Sequence, residues 1–402
     1  MQPLTGVVKN YAWGSRTAIP GLLGREGGDE PQAEYWLGAH AAGPASLDGV
    51  TGADGPLTLD VWLGEHPDAL GTACRAEFGD QLPFLFKVLA ADGPLSLQAH
   101  PSAEDAVAGF ARENAAGVPL DSPERSFKDP WPKPELVVAL TPFEVLSGFR
   151  DPKQTLALYE ALDVPSEILN PVIGPLRYRD GEQAALAEVF LDCLSPSDAR
   201  GEALTEVVAA AARHLQDGGE LGRFARLAVL LDEHHPGDPS LLAALMLNHI
   251  DLEPGQGLRT TPGTLHAYLG GLGIEIMANS DNVLRGGLTT KHIDAPALVS
   301  CVDFAAVDTP VIEPQPAGDG AWTYPTPDPQ FALWRVEPGS ARAILPGAGR
   351  ARILWSQADS LILDGEDGEA LVLRAGQACF VGAEENVTVR GDGRGFLAAS
   401  GI

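Results

Sequence analysis

Residues 263–270 read Gly-Thr-Leu-His-Ala-Tyr-Leu-Gly, and the stretch that they open runs on to residue 291. Apolar residues alternate here with His266 and Tyr268, which is the two-residue period of a β-strand. In a strand both of these side chains share one face, and the Pro-Gly turn at residues 262–263 ends the preceding run. The rest of the stretch adds two carboxylates and two cations: Glu275, Asp281, Arg285 and Lys291.

Length and composition describe an ordinary globular protein. The chain has 402 residues, of which 45% are hydrophobic, and this length is enough for two or three domains. We find neither a signal peptide nor an apolar run that is long enough for a bilayer, so we expect a cytoplasmic protein with no membrane partner. The formal net charge of −28 argues against nucleic acid as a partner. A phosphate-bearing substrate would need a local cluster of Lys and Arg.

The four cysteines are far apart in the sequence, and no two of them form a Cys-x-x-Cys pair. This spacing argues against a zinc ribbon and indicates no disulfide framework. We therefore expect small buried hydrophobic residues at all four positions: Cys74, Cys193, Cys301 and Cys379.

Changes of hydrophobic period divide the chain into three parts and predict a mainly β fold with an α-helical insertion. Residues 1–150 and 251–310 carry short strand-like runs between turns, and we assign them to one catalytic β domain. Residues 151–250 show helical spacing up to Ile250 and are assigned to an α-helical domain. Residues 311–402 read as short strands of a C-terminal antiparallel barrel or sandwich.

The C-terminal part carries no recognisable catalytic constellation. Residues 310–329 are rich in Pro, Gly and Asp, which is typical of a linker. The later strands are separated by turns such as the one at residues 365–368.

Two further strands carry polar residues of interest. The run at residues 95–100 alternates strictly, so Ser96, Gln98 and His100 share one face, and this set is unusual for a solvated face. The apolar run at residues 82–89 contains Lys87, which is either a surface residue at a strand end or a ligand for an anion.

A proline-rich loop leads into another apolar strand. Three prolines within residues 130–134 forbid regular structure, and the loop delivers Glu135 to the start of the run at residues 136–140. A carboxylate held in this way is suited to metal binding or catalysis.

Gln98, His100, Glu135 and His266 together form a plausible ligand set for one divalent cation. Two imidazoles favour Zn²⁺, although Mn²⁺, Fe²⁺ and Co²⁺ are chemically suitable. The alternative is a pair of separate structural histidines. Residues 234–235 are two adjacent histidines, for which a metal site competes with a surface pair at a helix end.

Several of these motifs resemble the signatures of type I mannose-6-phosphate isomerases, which are zinc enzymes of the cupin superfamily. The similar stretches are Gln-Ala-His-Pro at 98–101, Lys-Pro-Glu at 133–135, and the long motif that begins at residue 263. Residues 11–14, 33–40 and 82–89 match family stretches as well. The resemblance covers most of residues 1–310.

The resemblance implies a fold and a set of site residues. It implies two cupin, or jelly-roll, domains that flank the helical domain, one zinc ion per chain, and a sugar phosphate as substrate. The implied zinc ligands are Gln98, His100, Glu135 and His266, and Arg285 is implied as an essential active-site cation. The substrate site would include the following residues: Trp13, Lys87, Ser96, Tyr268 and Lys291.

One loop departs from the family pattern Tyr-x-Asp-x-Asn-His-Lys-Pro-Glu. Phe127 stands for the Tyr, and Trp131 and Pro132 stand for Asn-His. An acid–base role of that histidine, such as opening of the sugar ring, cannot be filled by Pro132. Another group then does this, or the ring opens spontaneously, or the substrate preference has changed.

The implied reaction moves a proton between C1 and C2 through a cis-enediol and therefore needs a base. Lys133, Glu275 and Asp281 are the candidates for this proton transfer. Lys133 has the alternative of a surface loop lysine, and the two carboxylates have the alternative of structural hydrogen bonds or salt bridges. For Tyr268 the alternative is packing inside the barrel.

Three other functions compete with this hypothesis. One is a related cupin isomerase of another aldose or sugar phosphate, and another is a non-catalytic metal-bearing protein that binds a sugar phosphate. A cupin dioxygenase is the third, although it gives Arg285 and Lys291 no evident use. We expect a monomer.

Overall fold

The structure is a computed structural model, and it describes residues 1–52, 55–366 and 368–402. The fold is mainly β, with a continuous series of helices in the middle of the chain. Of the predicted turn at residues 365–368, Asp367 lies outside the described residues. Within the described ranges no helix is both long and apolar enough to span a membrane.

The first part of the chain is mostly strands. Its helices are short except α4, where the Ser102 hydroxyl accepts the N–H of Asp105 and caps the first turn. In chain order the elements are β1 (Gln2–Thr5), β2 (Val7–Lys9), α1 (Ala18–Leu22), β3 (Glu34–Gly38), β4 (Ser46–Gly52), β5 (Gly55–Thr58), α2 (Leu59–Glu65), a 3-10 helix (Pro67–Leu70), α3 (Thr72–Phe78), β6 (Phe84–Ala91), β7 (Leu97–Ala99), α4 (Ala103–Ala115), β8 (Glu135–Ala139) and β9 (Phe143–Phe149).

Helices occupy most of the segment that was predicted to be helical. They bury one large apolar cluster between them, to which strand residues such as Leu97 and Leu265 also belong. The helices are α5 (Pro152–Ala161), α6 (Ser166–Ile173), α7 (Pro175–Tyr178), α8 (Glu182–Cys193), α9 (Asp198–Arg213), α10 (Gly219–His234) and α11 (Ser240–Ala244).

The prediction of helix through Ile250 was wrong for its last residues. The chain forms β10 (Leu247–Leu252), which pairs antiparallel with β9. The buried guanidinium of Arg150 donates to the carbonyl oxygens of Leu245 and Leu247. Pairing with β9 therefore outweighs the local helical preference just after α11 ends.

Eleven strands of the described chain form one sheet that carries the site. After β10 come β11 (Gly257–Thr260), β12 (His266–Ala278), β13 (Leu284–Gly287) and the helix α12 (Ala295–Cys301). The long strand β12 lies at the centre of the sheet, where it pairs antiparallel with β6 and β8 along one half and with β7 and β9 along the other.

The C-terminal part consists of short strands, and the linker prediction for residues 310–329 was wrong. Three short strands lie there because their backbones pair with neighbouring strands. The strands are β14 (Val311–Ile312), β15 (Gln315–Pro316), β16 (Ala321–Tyr324), β17 (Ala332–Val336), β18 (Gly339–Ile344), β19 (Arg352–Ala358), β20 (Ser360–Gly365), β21 (Ala370–Arg374), β22 (Ala378–Val381), β23 (Val387–Gly391) and β24 (Arg394–Ala399).

The two ends of the chain share a sheet. Its order among the described strands is β15-β16-β17-β24-β19-β22-β1-β4-β5, so N-terminal strands continue a sheet of C-terminal strands. Strands β18, β23, β20 and β21 form a smaller sheet, and β14 extends the eleven-stranded sheet beside β11.

Side chains alternate between two environments along the central strands. One face of β6, β8 and β12 packs against the nine-stranded sheet, where Phe86 and Ile276 share a core cluster with Trp355 and Phe380. The opposite face points into a cavity. Because Lys87 and Glu135 occupy this opposite face, the sheet itself aims them at the cavity.

A glycine bend in β12 changes which residues face the cavity. His266 and Tyr268 face it before the bend, and Glu275 faces it after the bend. In a regular strand the odd-numbered Glu275 would point to the face opposite to that of the two even-numbered residues. The pairing with β9 shifts register between Tyr268 and Gly270, and Gly271 has a φ of 122°. A β-bulge of this kind re-aims the side chains that follow it.

The cysteine prediction is confirmed. All four side chains are buried and free. Burial raises the pKa of the Cys379 thiol to about 12, so this residue behaves as a small hydrophobic side chain.

Candidate active site

A cavity of about 650 Å³ opens beside the central strands. Its size suits a small organic ligand. Every site residue that was predicted from the sequence lines this cavity except His100, which is fully buried behind Glu135. The lining residues from that prediction are Trp13, Lys87, Ser96, Gln98, Lys133, Glu135, His266, Tyr268, Glu275, Asp281, Arg285 and Lys291.

Three of the four predicted metal ligands come together. His100 Nε2 lies 3.3 Å from Glu135 Oε1, and His266 Nε2 lies 3.4 Å from Glu135 Oε2. These side chains are buried, and their ligand atoms all lie within 4.8 Å of one another. Three strands supply them, because His100 follows β7, Glu135 begins β8 and His266 begins β12.

Backbone carbonyl groups orient both imidazoles. His100 Nδ1 lies 2.8 Å from the Asn282 carbonyl oxygen, and His266 Nδ1 lies 3.0 Å from the Thr264 carbonyl oxygen. A carbonyl oxygen only accepts, so each Nδ1 carries a proton, and in the neutral imidazole the Nε2 that faces Glu135 presents a lone pair. This is the usual orientation of a metal-binding histidine.

The protonation states of the cluster fit a metal ion. Burial lowers the pKa of His100 to about 4, so the imidazole is neutral near pH 7. Burial alone would raise the pKa of Glu135, but the charge of Lys133 beside it holds this pKa below its ordinary value. His100 Nε2 is buried and has no hydrogen-bond partner among the described residues. A divalent cation would satisfy this atom.

Gln98 lies directly beside the cluster. It is the antiparallel partner of His266 on one side and of Arg285 on the other. Its Nε2 lies 3.5 Å from Ser96 Oγ, at the limit of a hydrogen bond. The amide can therefore reach the same volume as the His266 imidazole.

Lys133 is a buried residue of the proline-rich loop. Its Nζ lies 3.1 Å from Glu135 Oε1, and its side chain lines the cavity. Lys133 is therefore not an exposed loop lysine, which was the alternative.

A buried charge network lies next to the cluster. Lys87 Nζ lies 2.8 Å from Glu275 Oε2 and 3.5 Å from Glu34 Oε1. The Tyr268 hydroxyl donates to Glu275 Oε1 at 2.9 Å, and the Trp36 indole donates to Glu34 Oε2 at 2.7 Å. Lys87 is thus neither at a strand end nor exposed, since it lies in the middle of β6 between two carboxylates.

The pKa values in this network follow from burial and from neighbouring charges. Burial opposes the charged form of Lys87, but Glu275, Glu34 and Glu135 outweigh this effect and raise its pKa. Burial also raises the pKa of Glu275, and the charge of Lys87 offsets part of that rise. Burial, followed by the charge of Glu275, raises the pKa of the Tyr268 hydroxyl well above its ordinary value.

A second carboxylate on the cavity wall has a histidine partner. His40 Nε2 lies 3.3 Å from Asp281 Oδ1, and the Asp281 side chain is 48% exposed. The contact with His40 lowers the pKa of Asp281, while burial opposes this and Lys128 and Lys133 add to it.

Three cations near one another also line the cavity. They are Arg285, Lys291 and Lys128, and none of their side chains has a hydrogen bond or an ion pair to a residue that the structure describes. Burial lowers the pKa of Arg285. Burial, followed by the charges of Arg285 and Lys128, lowers the pKa of Lys291.

Sequence reasoning missed the residue that fixes the proline-rich loop. Asn282 is fully buried, and its amide oxygen accepts the N–H of Lys128 at 2.7 Å. Its amide nitrogen donates to the carbonyl oxygens of Asp129 and Trp131. The only signal in the sequence was its place in the long motif next to Asp281.

Glu34, Trp36 and His40 were missed as well. They lie in the stretch at residues 33–40, which was noted for its resemblance to a family without a role for any side chain. Strand β3 pairs with β6, and Trp36 is the antiparallel partner of Lys87. Only this pairing shows that these residues face the cavity.

The unusual loop residues Trp131 and Pro132 do not line the main cavity. They line a separate small pocket together with Phe78 and Asn279. The loop therefore contributes Lys128 and Lys133 to the main cavity, whereas Trp131 and Pro132 lie at the separate pocket and Phe127 is buried in the apolar cluster of the helices.

Two other groups of histidines differ from the metal cluster. His249 lies 2.9 Å from Glu144, but Arg223 lies 3.1 Å from the neighbouring Asp251, so an exposed ion-pair network accounts for this group. His234 and His235 lie at the end of α10 and line the cavity. They belong to none of the groups of potential ligands that the described residues form.

Comparison with known proteins shows the family. A family model described as "Phosphomannose isomerase type I, catalytic domain" matches residues 1–152. The mannose-6-phosphate isomerase of Escherichia coli is 38% identical over 400 residues, which cover 98% of each chain. The mannose-6-phosphate isomerase of Salmonella typhimurium is 39% identical over an alignment of 417 residues including gaps, and the match covers 99% of this chain and 98% of the relative.

A solved structure agrees along the whole chain. A zinc-bound crystal structure of a mannose 6-phosphate isomerase superposes with a TM-score of 0.88 at 34% identity, and the match covers 100% of this chain and 99% of that one. On this full-length similarity the chain belongs to the type I mannose-6-phosphate isomerase family.

Proposed function

We propose that the protein interconverts mannose 6-phosphate and fructose 6-phosphate as a zinc-dependent aldose–ketose isomerase. One observation carries this proposal: the buried His100, Glu135 and His266 cluster shares a cavity with three cations that have no ion pair to any described residue. A metal site and an anion site in one small cavity fit a sugar phosphate. Relatives that match the full length of the chain are named for the same reaction.

We assign the metal site to Gln98, His100, Glu135 and His266. Two imidazoles and an ionised carboxylate suit Zn²⁺, and the amide oxygen of Gln98 would be a further ligand. When bound, Zn²⁺ supplies Lewis-acid polarisation of the sugar oxygens.

We assign the phosphate group to the side of the cavity that carries Arg285, Lys291 and Lys128. The chain as a whole has a net charge of −28. Three neighbouring cations without a carboxylate partner among the described residues therefore form a local positive region in a negatively charged protein. The guanidinium of Arg285 is planar and can donate two parallel hydrogen bonds to a phosphate. We place Ser96 and Trp13 at the walls that contact the sugar.

Proton transfer between C1 and C2 is assigned to side chains between these two ends. A base removes the proton from one carbon, the electron pair of that C–H bond forms the C1–C2 double bond, and the electron pair of the carbonyl bond moves onto its oxygen. The other oxygen then becomes the carbonyl oxygen as its proton passes to the first oxygen, and the base returns its proton to the former carbonyl carbon. Lys133, Glu275 and Asp281 are the candidates. Lys87 and Tyr268 hold the two oxygens of Glu275 in place, whereas Asp281 keeps one side open to the cavity.

We also propose the finer domain arrangement. In it a catalytic cupin domain of residues 1–150 and 251–310 and a C-terminal jelly-roll domain of residues 311–402 flank a helical domain of residues 151–250. The series of helices α5 to α11 supports the central unit. Strands β1, β4 and β5 extend the sheet of C-terminal strands, so in this arrangement the two β domains would share a sheet. A monomeric state and a cytoplasmic location stay predictions.

The test is a comparison of substrates. The purified chain should convert mannose 6-phosphate at a kcat/KM at least about tenfold above that for other aldose 6-phosphates, which differ in the sugar. The same margin is expected over free mannose, which lacks the binding energy of the phosphate. A higher rate with another sugar would favour a related isomerase. Tight binding of mannose 6-phosphate without turnover would favour a binding protein.

A further inference from the structure

His40 lies behind Asp281 and has a defined tautomer. The residue is 5% exposed and follows β3. Its Nδ1 accepts the backbone N–H of Ala42 at 3.1 Å. A ring nitrogen that accepts carries no proton, so the proton of the neutral imidazole is on Nε2. This nitrogen lies 3.3 Å from Asp281 Oδ1.

The surroundings hold the imidazole in this orientation. The edge of the ring meets Trp36, with ring centroids 5.0 Å apart and planes at 75°. Trp36 is fixed in turn by its hydrogen bond to Glu34. Rotation of the His40 ring would break the bond from Ala42, so the Nε2–H points towards Asp281.

Asp281 is held from its backbone as well. Its N–H donates to Asp129 Oδ2 at 2.8 Å, and its carboxylate both contacts the buried His40 and lines the cavity. A hydrogen bond of 3.3 Å is long, but catalytic hydrogen bonds often shorten when the substrate binds. His40 is therefore placed to set the direction of this carboxylate.

We propose that His40 is a positioning residue for the isomerase reaction, which holds the Asp281 carboxylate turned towards the sugar. This inference rests on the proposed function. Asp281 takes a proton from the sugar, the electron pair of the broken bond stays on the sugar, and Asp281 later returns the same proton. His40 keeps its own proton throughout and acts on the reaction through Asp281.

The test uses three substitutions that differ in one hydrogen bond. H40L removes the donor at similar volume, H40Q places an amide N–H near the position of Nε2, and H40N places its amide near Nδ1, too short to reach Asp281. We expect H40L and H40N to lower kcat about 10- to 100-fold with KM changed less than about threefold. H40Q should recover most of kcat. Zinc content and thermal stability are measured for each variant.

The double variant separates positioning from mere structure. If His40 acts through Asp281, H40L causes no further loss of kcat in a D281N background, because the two residues act as a unit. Equal losses from H40L in both backgrounds would overturn the proposal, and so would wild-type kcat in H40L. If H40L fails to fold, equal kcat values for H40Q and H40N would overturn it. An inactive wild-type protein would instead reject the proposed function.

Discussion

The two imidazoles of the metal cluster each have one nitrogen occupied by a backbone carbonyl group and one directed at Glu135. The arrangement depends on backbone conformation at Thr264 and Asn282, which holds the rings before any ligand arrives. A pre-oriented ligand set of this kind binds metal without a rearrangement of side chains.

Substitution of one ligand should remove metal and activity together. We expect H266A to lose bound zinc and at least about a hundredfold in kcat. Removing a direct metal ligand should reduce metal binding more than changing a residue that only orients a ligand. The measurements are zinc per chain and the rate on mannose 6-phosphate. H249A is the control and should keep both values, since His249 lies in the exposed ion-pair network. Activity of H266A without metal would contradict the assignment.

Lys87 should make a large contribution to stability. K87M leaves Glu34 and Glu275 buried without their cation, and we expect a loss of about 3–5 kcal/mol in the free energy of unfolding. K9M is the control, because Lys9 also contacts the Trp36 ring but lies near the surface, and it should cost less than about 1 kcal/mol. Urea unfolding measures both variants, and equal losses would show that the network contributes little.

For single residues, the sequence predicted the polar side chains that line the cavity better than the residues that contact and orient them. His100, Glu135 and His266 could be found because their residue types and strand positions suit a metal. Glu34, His40 and Asn282 could not be found, since they act through contacts with residues that are distant in the sequence. Of the two alternatives for Lys87, the structure excludes the exposed strand end, while a role as an anion ligand stays a prediction. Its ion pairs with two buried carboxylates could not be predicted.

Strand β12 supplies both the metal cluster and the charge network because of its bulge. A uniform strand from His266 to Glu275 would place the two residues on opposite faces. The bulge near Gly270 and Gly271 brings the Tyr268 hydroxyl to 2.9 Å from Glu275.

Two adjacent glycines allow a matched test of the bulge. A Cβ at Gly271 would lie 2.7 Å from the Pro142 carbonyl oxygen, whereas a Cβ at Gly270 would have Ala91 oxygen at 4.0 Å as its nearest neighbour. We expect G271A to lose at least about 2 kcal/mol in the free energy of unfolding and to lower kcat, because φ is positive and the space is filled. G270A should lose less than about 1 kcal/mol. Similar values for both variants would show that the bulge is not constrained in this way.

Strands with strong alternation were predictable, and strands that depend on distant pairing were not. The run at residues 95–100 showed its two faces directly in the sequence. Strand β10 continued a helical pattern, and β14 to β16 lie in a segment rich in Pro and Gly. These strands form because they pair with β9, β11 and β17. The hydrophobic pattern of the segment itself does not indicate such pairing with distant strands.

The chain is tied together across its length. Beyond the shared sheet, Arg259 on β11 makes two hydrogen bonds of 2.6 Å to Asp328 in the C-terminal part. Asp328 is almost fully buried. The sequence predicted β-rich ends around a helical segment, but the sharing of strands between the ends requires the three-dimensional pairing.

This tie should matter for the stability of the whole molecule. D328N removes the charge that pairs with Arg259, and we expect a loss of about 1–3 kcal/mol in the free energy of unfolding, within a single transition. D319N is the control, since Asp319 lies in an exposed turn, and it should change the value by less than about 0.5 kcal/mol. A second transition in the D328N unfolding curve would mean that the C-terminal part unfolds independently.

The most direct test of the central claim measures the conversion of mannose 6-phosphate to fructose 6-phosphate by one protein sample in three states. The rate is determined for the zinc-loaded protein, after a chelator has removed the metal, and after Zn²⁺ has been restored. The account predicts that activity disappears with the metal and returns with about one zinc ion per chain. Activity that persists in protein shown to be metal-free would contradict it.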